Sequence, residues 1–259
     1  MSCTLIVNAD DCNQTDGVTR GILEGVDRGI VSSTTFLVNF PVRAENIRKL
    51  KKYKGLGIGL HLNITRGTPV SKPAGVRSLL DGTGHFKRIY ADKARRVPTA
   101  AHVHKEYCSQ VRSFQKIFGR LPTHLDTHHQ VHDHPFFFEA LRGVAAHFKL
   151  PVRRSRLLLQ PFFAGRLSQS GVRYPDYLFG YLLPSGHWRL SSLEGLLENL
   201  PEGISEIMCH PGRSDAGLRA ISSFTVGRER ELAAFVHPRI LRIVKTRQIR
   251  LSHYGLCYN

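Results

Sequence analysis

Short apolar runs that end in polar residues alternate along this chain with stretches whose apolar residues recur every three or four positions. The two patterns together predict alternating strands and helices. Leu5-Ile6-Val7 opens the series, and Cys3 to Asn8 has the unbroken apolar character of a buried parallel strand. From Asp16, the residues Val18, Ile22 and Val26 keep helical spacing, and Gly29 stands where that helix should end. Val31 to Asn39, rich in Val, Thr and Phe, predicts a second strand closed at Pro41, and a helix is expected over Ala44 to Lys52. Gly57 to Asn63 predicts a third strand that carries His61 and Asn63 near its end.

The pattern then lapses. Residues from Thr65 to Val97 hold Gly, Pro and scattered charges without sustained periodicity, and read as an excursion able to cover a cleft. Val103, Tyr107, Val111 and Phe114 predict an amphipathic helix over Thr99 to Phe118, stopped at Gly119. Strands are expected at Thr123 to Thr127, Pro151 to Ser155, Ile204 to Cys209 and Ile249 to Ser252, and helices at Phe136 to Phe148, Glu229 to Val236 and Ile240 to Val244. This alternation predicts an α/β fold with a parallel sheet or barrel. No internal repeat is found and no boundary forces a division, so residues 1–259 are expected to form a single domain with variable excursions near 65–97 and 157–190.

Composition narrows the class. Hydrophobic residues make up 41% and charged residues 22%, ordinary for a globular protein and unlike a disordered chain. No apolar run approaches the roughly 20 residues that span a bilayer, and Met1 leads into Leu5-Ile6-Val7 without a basic leader and cleavage site, so a cytoplasmic protein is expected. The five cysteines are odd in number, widely spaced and without a Cys-x-x-Cys pair, which predicts reduced thiols. Cys12 and Cys209 adjoin candidate site residues and read as small buried fillers. The formal charge of +17 raises the question of nucleic acid. Lys and Arg are spread from Arg20 to Arg250, however, and the dense groups Arg48 to Lys54 and Lys93 to Arg96 offer only Tyr53 for stacking, so no nucleic-acid partner is expected.

Candidate chemistry collects where strands are predicted to end. Asp10-Asp11, His61, Asp126 to His128 and His210 all fall at or just beyond such ends, the edge on which parallel α/β folds build sites. Of Asp10 and Asp11, one suits a metal ligand and the other a base. Both reach one site only if the strand has already broken into a turn, as Cys12 to Gly17 suggests. His61, between Leu60 and Leu62, must satisfy both ring nitrogens near an apolar core. Residues 124–134 hold five of the fourteen histidines. In a strand His124, Asp126 and His128 share one face, with His128 able to bind metal and Asp126 to orient a neighbour, whereas His134 reads as an ordinary surface residue. His210, ahead of Pro211-Gly212, suits a general acid.

These segments carry a resemblance. Asn8-Ala9-Asp10-Asp11, Gly59-Leu60-His61-Leu62-Asn63, Thr123 to His132 and Met208-Cys209-His210-Pro211-Gly212 resemble, in order, the motifs of the YdjC-like carbohydrate deacetylases, which include chitooligosaccharide and hopanoid-associated deacetylases. The resemblance implies an irregular (β/α) barrel related to the polysaccharide deacetylases, with the site at the C-terminal ends of parallel strands. It also implies one divalent metal ion, Mg2+ or Zn2+, held by Asp11, His61 and His128, with Asp10 as base and His210 as acid. Arg153 or Arg154 matches a family arginine near the site, and the expected substrate is an N-acetylated sugar; a homodimer stays open. Two departures stand out: Cys12-Asn13 replaces the usual Phe-Gly, and Leu157 to Trp188 has no close match. Within that segment Tyr174, Tyr177, Phe179 and Trp188 suit either sugar stacking or the core. Hydrolysis of another amide or a phosphoester, or nucleic-acid binding with structural histidines, are the rival readings.

Overall fold

The computed structural model describes residues 3–88, 98–181, 183 and 186–258. The chain runs through β1 (Cys3–Cys12), α1 (Asp16–Arg28), β2 (Ser33–Phe36), α2 (Ala44–Lys52), β3 (Gly57–Leu62), α3 (Ala100–Phe118), β4 (Leu125–Thr127) and α4 (Pro135–Phe148). It continues through α5 (Pro161–Gln169), β5 (Tyr177–Phe179), α6 (Leu190–Glu198), β6 (Gly203–Cys209), α7 (Ala216–Ile221), α8 (Val226–Phe235), α9 (Pro238–Thr246), β7 (Arg250–Ser252) and α10 (Tyr254–Cys257). No helix among the described residues is long and apolar enough to cross a membrane. The residues divide into two compact units, one of Met1–Phe36, Arg43–Ile58 and Pro175–Asn259, the other of Leu37–Val42 and Gly59–Tyr174.

The first unit is organised on β1. Leu5, Ile6, Val7 and Ala9 are fully buried, so the strand is covered on both faces, which is why its sequence is a continuous apolar run rather than an alternation. It pairs in parallel with β6 from Cys3 opposite Gly203 to Ala9 opposite Cys209, and β5 continues the sheet beyond β6. On its other side β7 lies along Thr4 to Ile6 and β2 along the C-terminal half. Helix α1 starts at Thr15, whose hydroxyl accepts from the Val18 N–H at 3.3 Å, and carries Asp16 in its first turn and Arg28 in its last, both favourable to the helix dipole. Gly29 does end this helix, but in extended backbone (φ −129°). Its small size is required because a Cβ there would come within 2.6 Å of the Phe235 carbonyl oxygen.

The strand does not break before the paired aspartates, as their sequence context suggests; it runs through both and bulges. Ala9 lies opposite Thr34 and Cys12 opposite Phe36, so two residues, Asp10 and Asp11, occupy the space facing one, and Asp11 takes a left-handed φ of 66°. A bulge inserts one residue and re-aims side chains that would otherwise point to opposite faces. A left-handed non-glycine residue costs roughly 1–3 kcal/mol, a strain that collects at functional sites.

In the second unit β3 pairs in parallel with β4, which sets His61 beside Asp126. The strand expected at Pro151 to Ser155 is reduced to one bridge between Val152 and Leu125. The bridge is made by the Leu125 N–H on the Pro151 carbonyl and the Arg153 N–H on the Leu125 carbonyl, and Pro151, without an N–H, cannot extend it toward the N-terminus. Helix α3 ends as its sequence predicts, with Gly119 at φ 75° and its N–H on the Gln115 carbonyl. The described part of the excursion, 65–88, has two single 3-10 turns and one antiparallel bridge, between Leu80 and Phe86. It is tied down by buried Glu106, whose carboxylate accepts from the Val70 and Ser71 N–H groups at 2.9 and 3.0 Å. Residues 89–97, which include the basic group at Lys93 to Arg96, lie outside the described residues.

Gly59 shows how tightly β3 and its neighbours are packed: a Cβ there would run into the His124 imidazole. Gly59→Ala is therefore expected to lose about 1–3 kcal/mol of stability through overpacking, read from urea denaturation. An unchanged midpoint would mean that the ring moves aside freely.

Candidate active site

In the first unit the bulge presents two buried carboxylates with different partners. Asp10 accepts from the Asn8 amide at 2.9 Å through Oδ1, and its Oδ2 lies 3.8 Å from His210 Nε2. His210 follows β6, packs edge-on to Phe224, and keeps about a third of its side chain (30%) open, whereas Asp10 is closed off at 3%. The His210 backbone N–H donates to Glu231 at 2.5 Å, and the same carboxylate accepts from the Trp188 N–H at 3.2 Å. Burial pushes the Glu231 carboxyl above its usual range. Asp11 is held otherwise: its Oδ2 accepts from Arg228 Nη2 at 2.5 Å, and that nitrogen also donates to Gln14 at 3.1 Å.

The two adjoining cysteines are buried fillers, as their type suggests. Burial pushes the Cys12 thiol up to about 12, so it stays protonated at neutral pH. Cys209 donates to the Asn8 carbonyl at 3.4 Å.

In the second unit a line of buried groups leads to His61. Arg153 Nη1 lies 3.0 Å from Asp126 Oδ2, and Asp126 Oδ1 lies 2.7 Å from His61 Nδ1, with all three side chains 3% exposed or less. Held in this way, Nδ1 carries the proton and Nε2 keeps its lone pair. That nitrogen faces His128 Nδ1 at 3.3 Å, the rings meeting edge to face. Two imidazole nitrogens turned to one point, one of them backed by a carboxylate, are the arrangement by which proteins orient histidine ligands on a metal. The donor chemistry therefore fits a divalent ion.

The histidine-rich segment divides by role. β4 covers only Leu125–Thr127, so His124 and His128 flank the strand rather than sharing its face with Asp126. The chain turns sharply beyond His128 because His129 and Gln130 are left-handed, at φ 57° and 52°. His129 packs on His128 with ring centroids 3.8 Å apart, and its Nδ1 meets the Thr65 hydroxyl at 2.9 Å. His124 lies against Gly59 and pairs with Thr123, and His132 pairs with Thr127 at 2.5 Å. His134 is exposed and caps α4 by accepting from the Phe136 N–H. The two candidate arginines also separate: Arg153 is fully buried on Asp126, while Arg154 lies 5.6 Å over the Tyr174 ring.

Among the aromatic residues of the variable segment, Trp188 belongs to the core, donating from Nε1 to the Met208 carbonyl at 2.9 Å, whereas Tyr177 is 42% exposed and stacks with Phe179. Arg228 and Glu231 are buried beside Asp11 and His210, and the sequence pattern does not single them out, since charged residues on a helix ordinarily face solvent.

The Arg153–Asp126 pair has a measurable consequence. Arg153→Met strands a buried carboxylate, and breaking one side of such a pair costs about 3–5 kcal/mol; chemical denaturation reads that loss, and a change under about 1 kcal/mol would place Asp126 in contact with water instead.

Comparison with known proteins sets this geometry in a family. A carbohydrate deacetylase of Geobacillus stearothermophilus is 34% identical over 254 residues, covering 98% of this chain and 97% of its own. The carbohydrate deacetylase of Vibrio cholerae strain O395 is 29% identical, covering 97% and 95%. A solved structure from Enterococcus faecalis, provisionally named a cellobiose-phosphate cleavage protein, superposes with a TM-score of 0.90 at 30% identity over 99% of both chains. A family 4 carbohydrate esterase from Streptomyces lividans, solved with acetate, matches at 0.54 and 13% identity, covering 97% of this chain and 91% of its own. An acetyl xylan esterase from Clostridium thermocellum, solved with cobalt, matches at 0.51 and 11%, covering 98% and 90%. These last two share the fold, an irregular (β/α) barrel, as the sequence implies. Residues 4–246 match the YdjC-like protein family, and with nearly the whole chain covered at up to 34% identity, the chain belongs to that family.

Proposed function

We propose that this protein is a metal-dependent carbohydrate deacetylase that removes the N-acetyl group from an amino sugar, or from its oligosaccharide or glycolipid conjugate, and releases acetate. The observation that carries the reading is the pair of buried imidazole nitrogens of His61 and His128 at 3.3 Å, with His61 backed by Asp126 and Arg153. The names of the full-length relatives support the substrate class.

In this reading Asp11, His61 and His128, each buried and each at the position of a ligand in the family's motifs, hold the ion. When bound, a divalent ion supplies Lewis-acid polarisation of the acetyl carbonyl and an acidified water. Asp10 takes the proton from the attacking water; it is suited to this because Asn8 occupies Oδ1 and leaves Oδ2 toward His210. His210 gives a proton to the departing nitrogen as the C–N bond breaks, so that acetate and a free amine leave. Its partial exposure lets it reach a sugar that Asp10 cannot touch from outside. Arg153 acts behind His61, holding Asp126 in the orientation that keeps the His61 proton on Nδ1. Two imidazoles and a carboxylate suit Zn2+ better than Mg2+, which prefers oxygen ligands.

A second reading comes from the Enterococcus neighbour, whose provisional name points to a phosphorylated disaccharide. Acetate release and phosphate release, assayed on N-acetylglucosamine, short chitooligosaccharides, an N-acetylated glycolipid and phosphorylated cellobiose, separate the two.

The untagged protein is expected to retain about one divalent ion per chain by elemental analysis. Asp11→Ala and His61→Ala should lose both the ion and acetate release; near-normal turnover in Asp11→Ala would sink the ligand assignment. Asp10→Asn and His210→Ala should keep the ion and lose about 10²- to 10⁴-fold in kcat, the usual contribution of a general base or acid.

A further inference from the structure

Helix α8 reaches both arms of the first-unit site through two residues three positions apart. Arg228, 3% exposed, donates from Nη2 to Asp11 Oδ2 and to Gln14 Oε1, and from Nε to the Phe224 carbonyl at 3.2 Å. Its planar head is thereby held at three points. Its stem packs against the turn that follows His210: a Cβ on Gly212 would lie 3.2 Å from Arg228 Cδ, and the Gly212 N–H donates to the Arg228 carbonyl. Glu231, 1% exposed, takes the backbone N–H of His210 and that of Trp188. Phe224, just before the helix, touches both ends, with the Arg228 guanidinium 5.6 Å from its ring and the His210 imidazole edge-on to it.

We infer that Arg228 and Glu231 are positioning residues that make α8 a two-point clamp, Arg228 fixing the carboxylate of Asp11 and Glu231 fixing the backbone that carries His210. The inference rests on Asp11 being a metal ligand. Asp11 sits in strained left-handed backbone, and a carboxylate with both oxygens unrestrained would rotate about its χ angles. Arg228 holds Oδ2, which fixes one orientation of the carboxylate toward an ion. A guanidinium near a divalent cation also repels it, so orientation and charge act in opposite directions, and the measured sign of a substitution shows which prevails. Glu231 offers two acceptor oxygens to two N–H groups; glutamine in its place turns an NH2 toward one of them.

The test is Zn2+ affinity, measured by competition with a chromophoric chelator, alongside kcat and KM for acetate release. R228M should bind Zn2+ about 10–100-fold more weakly, the usual effect of losing a residue that orients a ligand. R228K keeps the charge but not the fork, carries the test if R228M does not fold, and should still lose about threefold or more. E231Q should leave Zn2+ affinity within about threefold and lower kcat by at least about tenfold, with KM little changed. The circular dichroism of each metal-free variant should match that of the parent. Folded R228 variants with unchanged or tighter Zn2+ binding would overturn the role of Arg228, and an unchanged kcat in E231Q that of Glu231. If the parent protein itself binds no Zn2+ while releasing acetate, the ligand assignment falls and the Arg228 role with it, a result distinct from a metal-binding parent with indifferent variants.

Discussion

The carboxylates and arginines of the candidate site lie where water does not reach, and the surrounding structure is arranged around that constraint. Asp10, Asp11, Asp126 and Glu231 are at most 3% exposed, and Arg153 and Arg228 are buried with them. Moving a carboxylate from water into a protein interior costs several kcal/mol even after relaxation, so each must be compensated by a partner with good geometry. Arg153 serves Asp126, Arg228 serves Asp11, Asn8 serves Asp10, and two backbone N–H groups serve Glu231. Replacing such pairs with apolar residues would often be neutral for stability. Their value therefore lies in what they orient.

The orientation differs between the two compact units. In the second, the line from Arg153 through Asp126 to His61 fixes a tautomer and a ring direction, and the register of β3 against β4 sets the His61–Asp126 distance. In the first, a bulge at the end of an otherwise regular strand gives adjacent aspartates different partners, Asn8 and His210 for one and Arg228 for the other. A flat strand would send one of them into the opposite layer. The strain at Asp11 is tolerable because β1 is held on both sides, by β6 along seven residues and by β2 and β7 along the other edge.

Much of this was legible from residue type and spacing. The long helix from Ala100 to Phe118, its stop at Gly119, the helix over Ala44 to Lys52 and the strand before His210 follow their periodicity closely, because a helix or strand that buries one face must repeat with its own period. Elements in the variable segment were less legible. β5 has three residues and is only partly buried, so its sequence carries little periodic signal. Pro151 to Ser155 has strand-like composition yet forms one bridge, and Pro151, without an N–H, cannot extend the pairing toward the N-terminus.

The candidate site divides along the same line. Asp10, Asp11, His61, His128 and His210 stand out in the sequence itself, because they fall together at the predicted strand ends where parallel α/β folds build sites, and four ordered motifs tie them to a family. The bulge that parts Asp10 from Asp11, the pairing of Arg153 rather than Arg154 with Asp126, the packing of His124 against Gly59 and the burial of Arg228 and Glu231 beside Asp11 and His210 were decided only by tertiary structure. Sequence period reports which face of an element is buried. Pairing between residues more than two hundred positions apart, as for Asp11 and Arg228, depends on how elements are brought together, and no local pattern encodes it.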